Sequence, residues 1–193
     1  MVFPNSPASF NGYLSDGGFA ELKEFFDREG TSAHYAAGDC FSVQGRRNRS
    51  CGLIRTGAFR YVHATAAGDD HVVGYAFAGE FVGDYISMCN GRPAWVRIES
   101  MCPCEVLQVP NGRIEEFYRS DCRRERLGRR VAERLMAELY ERLLQFYACS
   151  PQERYESLVR RCPGLLDMVA LKELASYLRV RPETLSRIRS RMR

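Results

Sequence analysis

The chain has 193 residues, of which 45% are hydrophobic and 27% charged, a balance that supports a packed core and excludes global disorder. No run of 18 apolar residues occurs, which excludes a transmembrane helix, and Met1-Val2-Phe3-Pro4-Asn5-Ser6 lacks the basic start and apolar stretch of a secretory signal, so a cytoplasmic location without membrane partners is expected. The net charge of +4 is unevenly spread: residues 1–110 hold 9 Lys+Arg against 12 Asp+Glu, residues 111–193 hold 19 against 12, and the last 13 residues hold five Arg and one Glu. A basic C-terminal half points to an anionic partner.

Residues 18–29 predict a short amphipathic helix, with Phe19, Leu22, Phe25 and Phe26 at helical spacing. From Thr31 to Pro110 the pattern becomes one of short apolar runs broken every 8–12 residues by turn signals such as Gly38-Asp39, Gly57, Gly68-Asp69-Asp70 and Asn90-Gly91, the signature of a small β-barrel or sandwich. Strands are expected at Leu53-Ile54-Arg55, Ala58–Val62, His71–Phe77, Trp95–Glu99 and Cys104–Val109. The eight cysteines show one close pair, Cys102 and Cys104, which alternation would put on one face of a strand; without C-x2-C spacing they are expected as buried hydrophobes rather than zinc ligands or disulfides. The histidines, His34, His63 and His71, are scattered, with no H-x-H or H-E-x-x-H. A metalloenzyme of the cupin type needs His and Glu clustered on neighbouring strands, so no catalytic or metal-binding set is expected.

Asp121 to Cys149 reads as one helix, roughly 40 Å long. Leu127, Val131, Leu135, Leu139 and Leu143 form one apolar stripe, and Ala132, Met136, Tyr140, Leu144 and Tyr147 a second beside it. That face is too broad for one neighbour, so one stripe is expected on the roll and the other on a second copy of the chain. Ser150-Pro151 ends this helix and caps the next. In Leu171–Ser190 two short helical patterns meet at a three-residue break. Leu171, Leu174, Ala175 and Leu178 line the first, Leu185 and Ile188 the second, and Pro182 stands at a helix start. Thr184, Ser186, Arg187, Arg189 and Ser190 then face outward: a helix-turn-helix whose second helix carries the guanidinium and hydroxyl donors that DNA recognition uses. Arg179 falls in the tight turn, where a non-glycine residue at positive φ costs about 1 kcal/mol.

These residues together resemble the Crp/Fnr family of bacterial transcription regulators. The implied fold is α+β: a β-roll sensor over 1–120, a dimerisation helix over 121–149 and a helix-turn-helix domain over 150–193. Pro182-Glu183-Thr184-Leu185-Ser186-Arg187 resembles the family's R-E-T-x-x-R recognition signature, with Pro182 in place of the first arginine. The resemblance implies a homodimer reading an inverted repeat of double-stranded DNA, with RNA polymerase as a further partner. Glu183 would accept from cytosine and Arg187 would read guanine, with Arg181, Thr184, Ser186, Arg189 and Ser190 around them. Gly79-Glu80-Phe81-Val82-Gly83-Asp84 and Arg92-Pro93-Ala94-Trp95 resemble the two ends of the family's phosphate-binding cassette, which implies effector roles for Gly79, Glu80, Arg92 and Ala94. Pro93 stands where the family has a serine and supplies neither hydroxyl nor N–H, which argues against a cyclic nucleotide and leaves no cofactor assigned. Glu80 and Arg92 are then expected to pair internally. The alternative is a cyclic-nucleotide-binding module signalling through protein partners, which would not need the helix-turn-helix.

Overall fold

The structure, a computed structural model, describes residues 10, 11 and 19–192. After helix α1 (Ala20–Glu29) come eight strands: β1 (Thr31–Tyr35), β2 (Cys40–Ser42), β3 (Ser50–Thr56), β4 (Ala58–Ala64), β5 (Asp70–Phe77), β6 (Phe81–Val82), β7 (Arg97–Ser100) and β8 (Cys104–Pro110). A one-and-a-half-turn helix, α2 (Tyr85–Asn90), lies between β6 and β7. The strands form two four-stranded antiparallel sheets, ordered β1-β8-β3-β6 and β2-β7-β4-β5. Phe41, Ile54, Phe59, Ala76, Val82, Ile98 and Val106 fill the space between them. The expected strands are present, with two differences. Trp95 lies outside β7 and is exposed, and Cys102 lies in the turn before β8, so the two neighbouring thiols are both buried without sharing a strand face. Gly57, between β3 and β4, has φ +91, and a Cβ there would meet the Cys104 sulfur at 2.4 Å, so the reversal requires glycine on two counts.

Both outer faces of the roll are covered. On the β3–β8 side, Phe19, Leu22, Phe25 and Phe26 of the N-terminal helical segment join Ile114 and Phe117 of α3 (Asn111–Arg119) and Leu127 and Val131 of α4 (Cys122–Ala148). On the other side, alternation along β5 turns Ala76 inward and Tyr75 and Phe77 outward, onto the C-terminal helices α5 (Pro151–Arg161), α6 (Leu165–Met168), α7 (Leu171–Leu178) and α8 (Pro182–Arg191). That seam is also polar. The Val72 N–H donates to Ser176 Oγ at 3.0 Å, and Arg60 bridges Glu99 (2.9 Å) and Glu173. Arg142 of α4 donates to the Val73 carbonyl (2.6 Å) and the Tyr177 hydroxyl (3.2 Å).

The caps follow the sequence. Asp121 accepts from the Arg123 and Arg124 N–H groups at 2.8 and 2.9 Å, and these bonds hold its carboxyl below the usual range. Ser150 and Glu153 form a reciprocal capping box with Pro151 at the first helical position. The α4 stripes differ from expectation. Leu127, Val131 and Leu135 pack on α1 and α3, but Leu139 and Leu143 are 55% and 47% exposed. Each i+4 step advances 40° around a helix with 3.6 residues per turn, so the series winds away from its own domain after three members. The inner side beyond Leu135 is occupied by half-buried Glu138, Arg142 and Gln145 instead.

Candidate functional site

The second half of the helix-turn-helix presents a clean division of faces. Leu185 and Ile188 are buried against α7 and its neighbours. Arg181, Glu183, Thr184, Ser186, Arg187 and Ser190 are exposed, and Arg189 is half-buried. Arg181 caps α8 in an extended conformation and Pro182 opens it, as its fixed φ allows. The Ser190 hydroxyl donates back to the Ser186 carbonyl at 3.0 Å, so of the two serines Ser186 has the freer hydroxyl. Arg187 and Glu183 form no salt bridge with each other or with any other described residue. Arg179 ends α7 at φ 56, ψ 47, the one non-glycine residue at positive φ among those described. This conformation lets the Val180 N–H reach the Ala175 carbonyl at 3.0 Å and turns the chain into α8.

The cassette is arranged differently from the expectation. Glu80 and Arg92 do not pair. Glu80 is 2% exposed and accepts three bonds: from the Asn11 N–H (2.9 Å), from Asn11 Nδ2 (2.6 Å) and from the Phe77 N–H (3.0 Å). Burial pushes its pKa up, against the pull of those bonds. Next to Asn11, Phe10 is 1% exposed and meets Tyr75, Phe77 and Tyr177 edge-on, so this pair of residues bridges roll and helix-turn-helix. The carboxylate that faces the Arg92–Trp95 segment is that of Asp84, the N-cap of α2. It accepts from the Ser87 N–H (3.1 Å) and the Trp95 N–H (2.7 Å). The Ser87 hydroxyl donates to the Arg92 carbonyl. The buried Ala94 donates its N–H to the Arg46 carbonyl at 2.7 Å, and the Arg92 side chain is exposed. Gly79 forms the turn before β6, donating to the Ile54 carbonyl at 2.8 Å.

Asp84 and Ser87 were not among the sequence candidates. Their signal was an Asp three residues before a Ser at the head of a short helix, a capping pattern. Asn11 had no local signal at all, because its partner lies 69 residues away.

Residues 32–121 match the family model for the cyclic nucleotide-binding domain. FixK2 from Bradyrhizobium japonicum superposes with a TM-score of 0.69 at 17% identity, over 84% of each chain. The chain has the fold of the Crp/Fnr regulators. The c-di-GMP-responsive global regulator CLP of Xanthomonas campestris superposes at 0.63, with 16% identity over 90% of this chain and 91% of the other. The catabolite activator protein of Thermus thermophilus superposes at 0.59, with 20% identity over 94% and 86%. No curated protein matches by sequence. Within the Crp/Fnr fold, a cyclic mononucleotide does not fit this cassette as the family pattern would hold it. The Ala94 N–H and the Glu80 carboxylate already have internal partners, and Pro93 has no N–H to offer. Among the described residues no helix is long and apolar enough to cross a membrane, and no group of His, Cys, Asp and Glu could hold a metal ion.

Proposed function

We propose that the protein is a homodimeric transcription regulator that binds an inverted repeat of double-stranded DNA through α8 and senses an effector with its β-roll. The observation that carries this reading is the outer face of α8, where exposed Arg181, Glu183, Thr184, Ser186 and Arg187 surround a helix N-terminus, over an inner face fixed by Leu185 and Ile188. Arg187 reads guanine through two donors and Glu183 accepts from cytosine; Thr184 and Ser186 reach phosphates.

The dimer is supported by α4. Met136, Leu139, Tyr140, Leu143, Leu144 and Tyr147 are between 46% and 83% exposed and follow one another at steps of three and one, a continuous apolar seam on the side turned away from the roll. A two-fold pairing along this seam presents two α8 helices to successive major grooves about 34 Å apart. The roll, α4 and the helix-turn-helix meet at Arg142, Tyr177 and Phe10, so a change in the roll reaches the reading helix through packed contacts rather than a linker.

The test is in-vitro selection of duplex DNA by the purified protein. An enriched inverted repeat is expected, and Arg187→Ala is expected to lose discrimination at one base pair per half-site, by about 1–3 kcal/mol. Enrichment of no sequence, or binding by Arg187→Ala that weakens evenly across all sequences, refutes the assignment of α8 as the reader.

A further inference from the structure

The inside of the cassette is occupied by its own backbone, but the outside is not. Residues 44–49 form a loop beside the Arg92–Trp95 segment, zipped to it by the Gly45 N–H on the Ala94 carbonyl (2.8 Å) and the Ala94 N–H on the Arg46 carbonyl (2.7 Å). That pairing puts Arg46, with Arg47 after it, beside the segment that carries Arg92, while the Arg49 carbonyl accepts from the Asn111 N–H at the start of α3; all four arginines are exposed. None of them forms a salt bridge with a described residue. The carboxylate nearest in the structure's bonding, Asp84, lies behind the Trp95 amide and is 7% exposed. Against this basic rim stands Trp95, 58% exposed, the chain's one tryptophan. An indole so exposed offers a flat apolar face on which a ring can stack.

Beside Trp95 lies an open, largely apolar depression of about 460 Å3, lined by Gln44, Gly45, His63, Val73, Ala94 and Val96 as well; no arginine lines it, but Gly45 leads directly into Arg46 and Ala94 follows Arg92 by two residues. Its volume lies within the ordinary range of small-molecule sites. The His63 Nδ1 is fixed against the Trp95 carbonyl at 2.9 Å, which leaves the other ring nitrogen for a ligand.

We propose that this outer depression, not the interior of the cassette, is the ligand site of the roll, and that its ligand carries a flat heteroaromatic ring and at least two phosphate groups. The ring stacks on the Trp95 indole. The phosphates lie over Arg46, Arg47 and Arg92, with Arg49 at the edge. Charge decides the class: a cyclic mononucleotide brings one negative charge to four guanidiniums, whereas a cyclic dinucleotide brings two and a nucleoside triphosphate up to four, and the planar fork of arginine suits paired phosphate oxygens. This deepens the effector-sensing reading given above and depends on it only for the consequence of binding, not for the binding itself.

Because Trp95 is the sole tryptophan, its fluorescence reports the site directly. The full-length protein is titrated with ATP, cyclic di-GMP, cAMP, adenosine and inorganic tripolyphosphate, with calorimetry in parallel. ATP or cyclic di-GMP is expected to change Trp95 emission saturably, at least tenfold more tightly than cAMP, adenosine or tripolyphosphate. The double variant Arg46→Gln/Arg47→Gln is expected to weaken that ligand tenfold or more while its thermal melt stays unchanged. Trp95→Phe, read by calorimetry, is expected to retain part of the affinity and Trp95→Ala to lose more.

Three results overturn the proposal: cAMP binding as tightly as ATP and cyclic di-GMP and insensitive to the arginine substitutions; tripolyphosphate binding as tightly as the nucleotides, which means a polyanion surface without ring recognition; or no saturable response to either nucleotide. The DNA selection described above, run without nucleotide, separates failure of the ligand site from failure of the regulator reading.

Discussion

The turn of the helix-turn-helix offers a measurement in which one backbone angle sets the outcome. Arg179 sits at φ 56, ψ 47, where the Cβ of an L-residue crowds the carbonyl. It is exposed, and its side chain has no hydrogen bond or ion pair among the described residues, so substitution there tests the backbone almost alone. Its N–H donates to the Ser176 carbonyl at 3.1 Å and the next N–H to the Ala175 carbonyl at 3.0 Å; the second bond requires the left-handed conformation. Removing the Cβ relieves about 1–2 kcal/mol. The looser unfolded chain of a glycine variant offsets about 0.5–1 kcal/mol of that. Arg179→Gly is therefore expected to stabilise the protein by roughly 0.5–1 kcal/mol, a rise in Tm of about 1–4 °C for a chain of this size. Asn is expected to fall between Gly and Arg, and Val, β-branched, to be less stable than Arg by about 1 kcal/mol or more. Urea and thermal unfolding of the four proteins give the order directly. If Gly is no more stable than Arg and Val no less, the turn in solution does not pass through the left-handed region, and the geometry that aims α8 is different from the one described.

Three further outcomes are expected. Leu139→Glu combined with Leu143→Glu is expected to convert a dimer to a monomer in sedimentation at micromolar concentration while leaving the melt of the monomer nearly intact, because both side chains already face outward; a dimer that persists places the interface elsewhere. At pH 8, Cys40, Cys89 and Cys122, the three exposed thiols, are expected to react with a thiol reagent in the first phase. Burial pushes Cys51 and Cys104 up to about 12, so they, with buried Cys102 and Cys162, are expected to label only on unfolding; rapid modification of Cys51 or Cys104 in a peptide map would contradict the packing. Glu80 has its pKa raised by burial, so the folded state holds the proton more tightly than the unfolded chain. Its contribution is present at low pH and is lost as pH rises from the ordinary value of 4.5 through the folded value. The stability of the wild type relative to Glu80→Gln is expected to fall over that window, and a rise would mean that the bonds from Asn11 and Phe77 outweigh the burial.

The strands, the long helix and the helix-turn-helix were legible because each is written in a local period: alternation over two residues in β4 and β5, turn glycines between them, and a 3.6-residue spacing through α4, α7 and α8. The outward set of α8 was legible for the same reason, since Leu185 and Ile188 fix which side is buried. The cassette was only half legible. Its glycines, acids and Arg92 stood out, but which acid faces Arg92–Trp95 did not. Glu80 and Asp84 are four residues apart on a segment with no single period, and their partners, Asn11 on one side and the Trp95 N–H on the other, are remote or main-chain.

The sequence by itself determined the order of parts, the apolar faces of the helices and the basic outer surface of α8, because these depend on neighbours within a turn or a strand. Only the tertiary structure decided that Glu80 is closed off by Asn11, that the α4 seam divides after Leu135, that the C-terminal helices lie on the outward side chains of β5, and that the loop carrying Arg46 pairs with the Arg92–Trp95 segment. Each of these brings together residues far apart in the chain, where the gain from burying apolar surface and satisfying buried polar groups, not local preference, selects the partner.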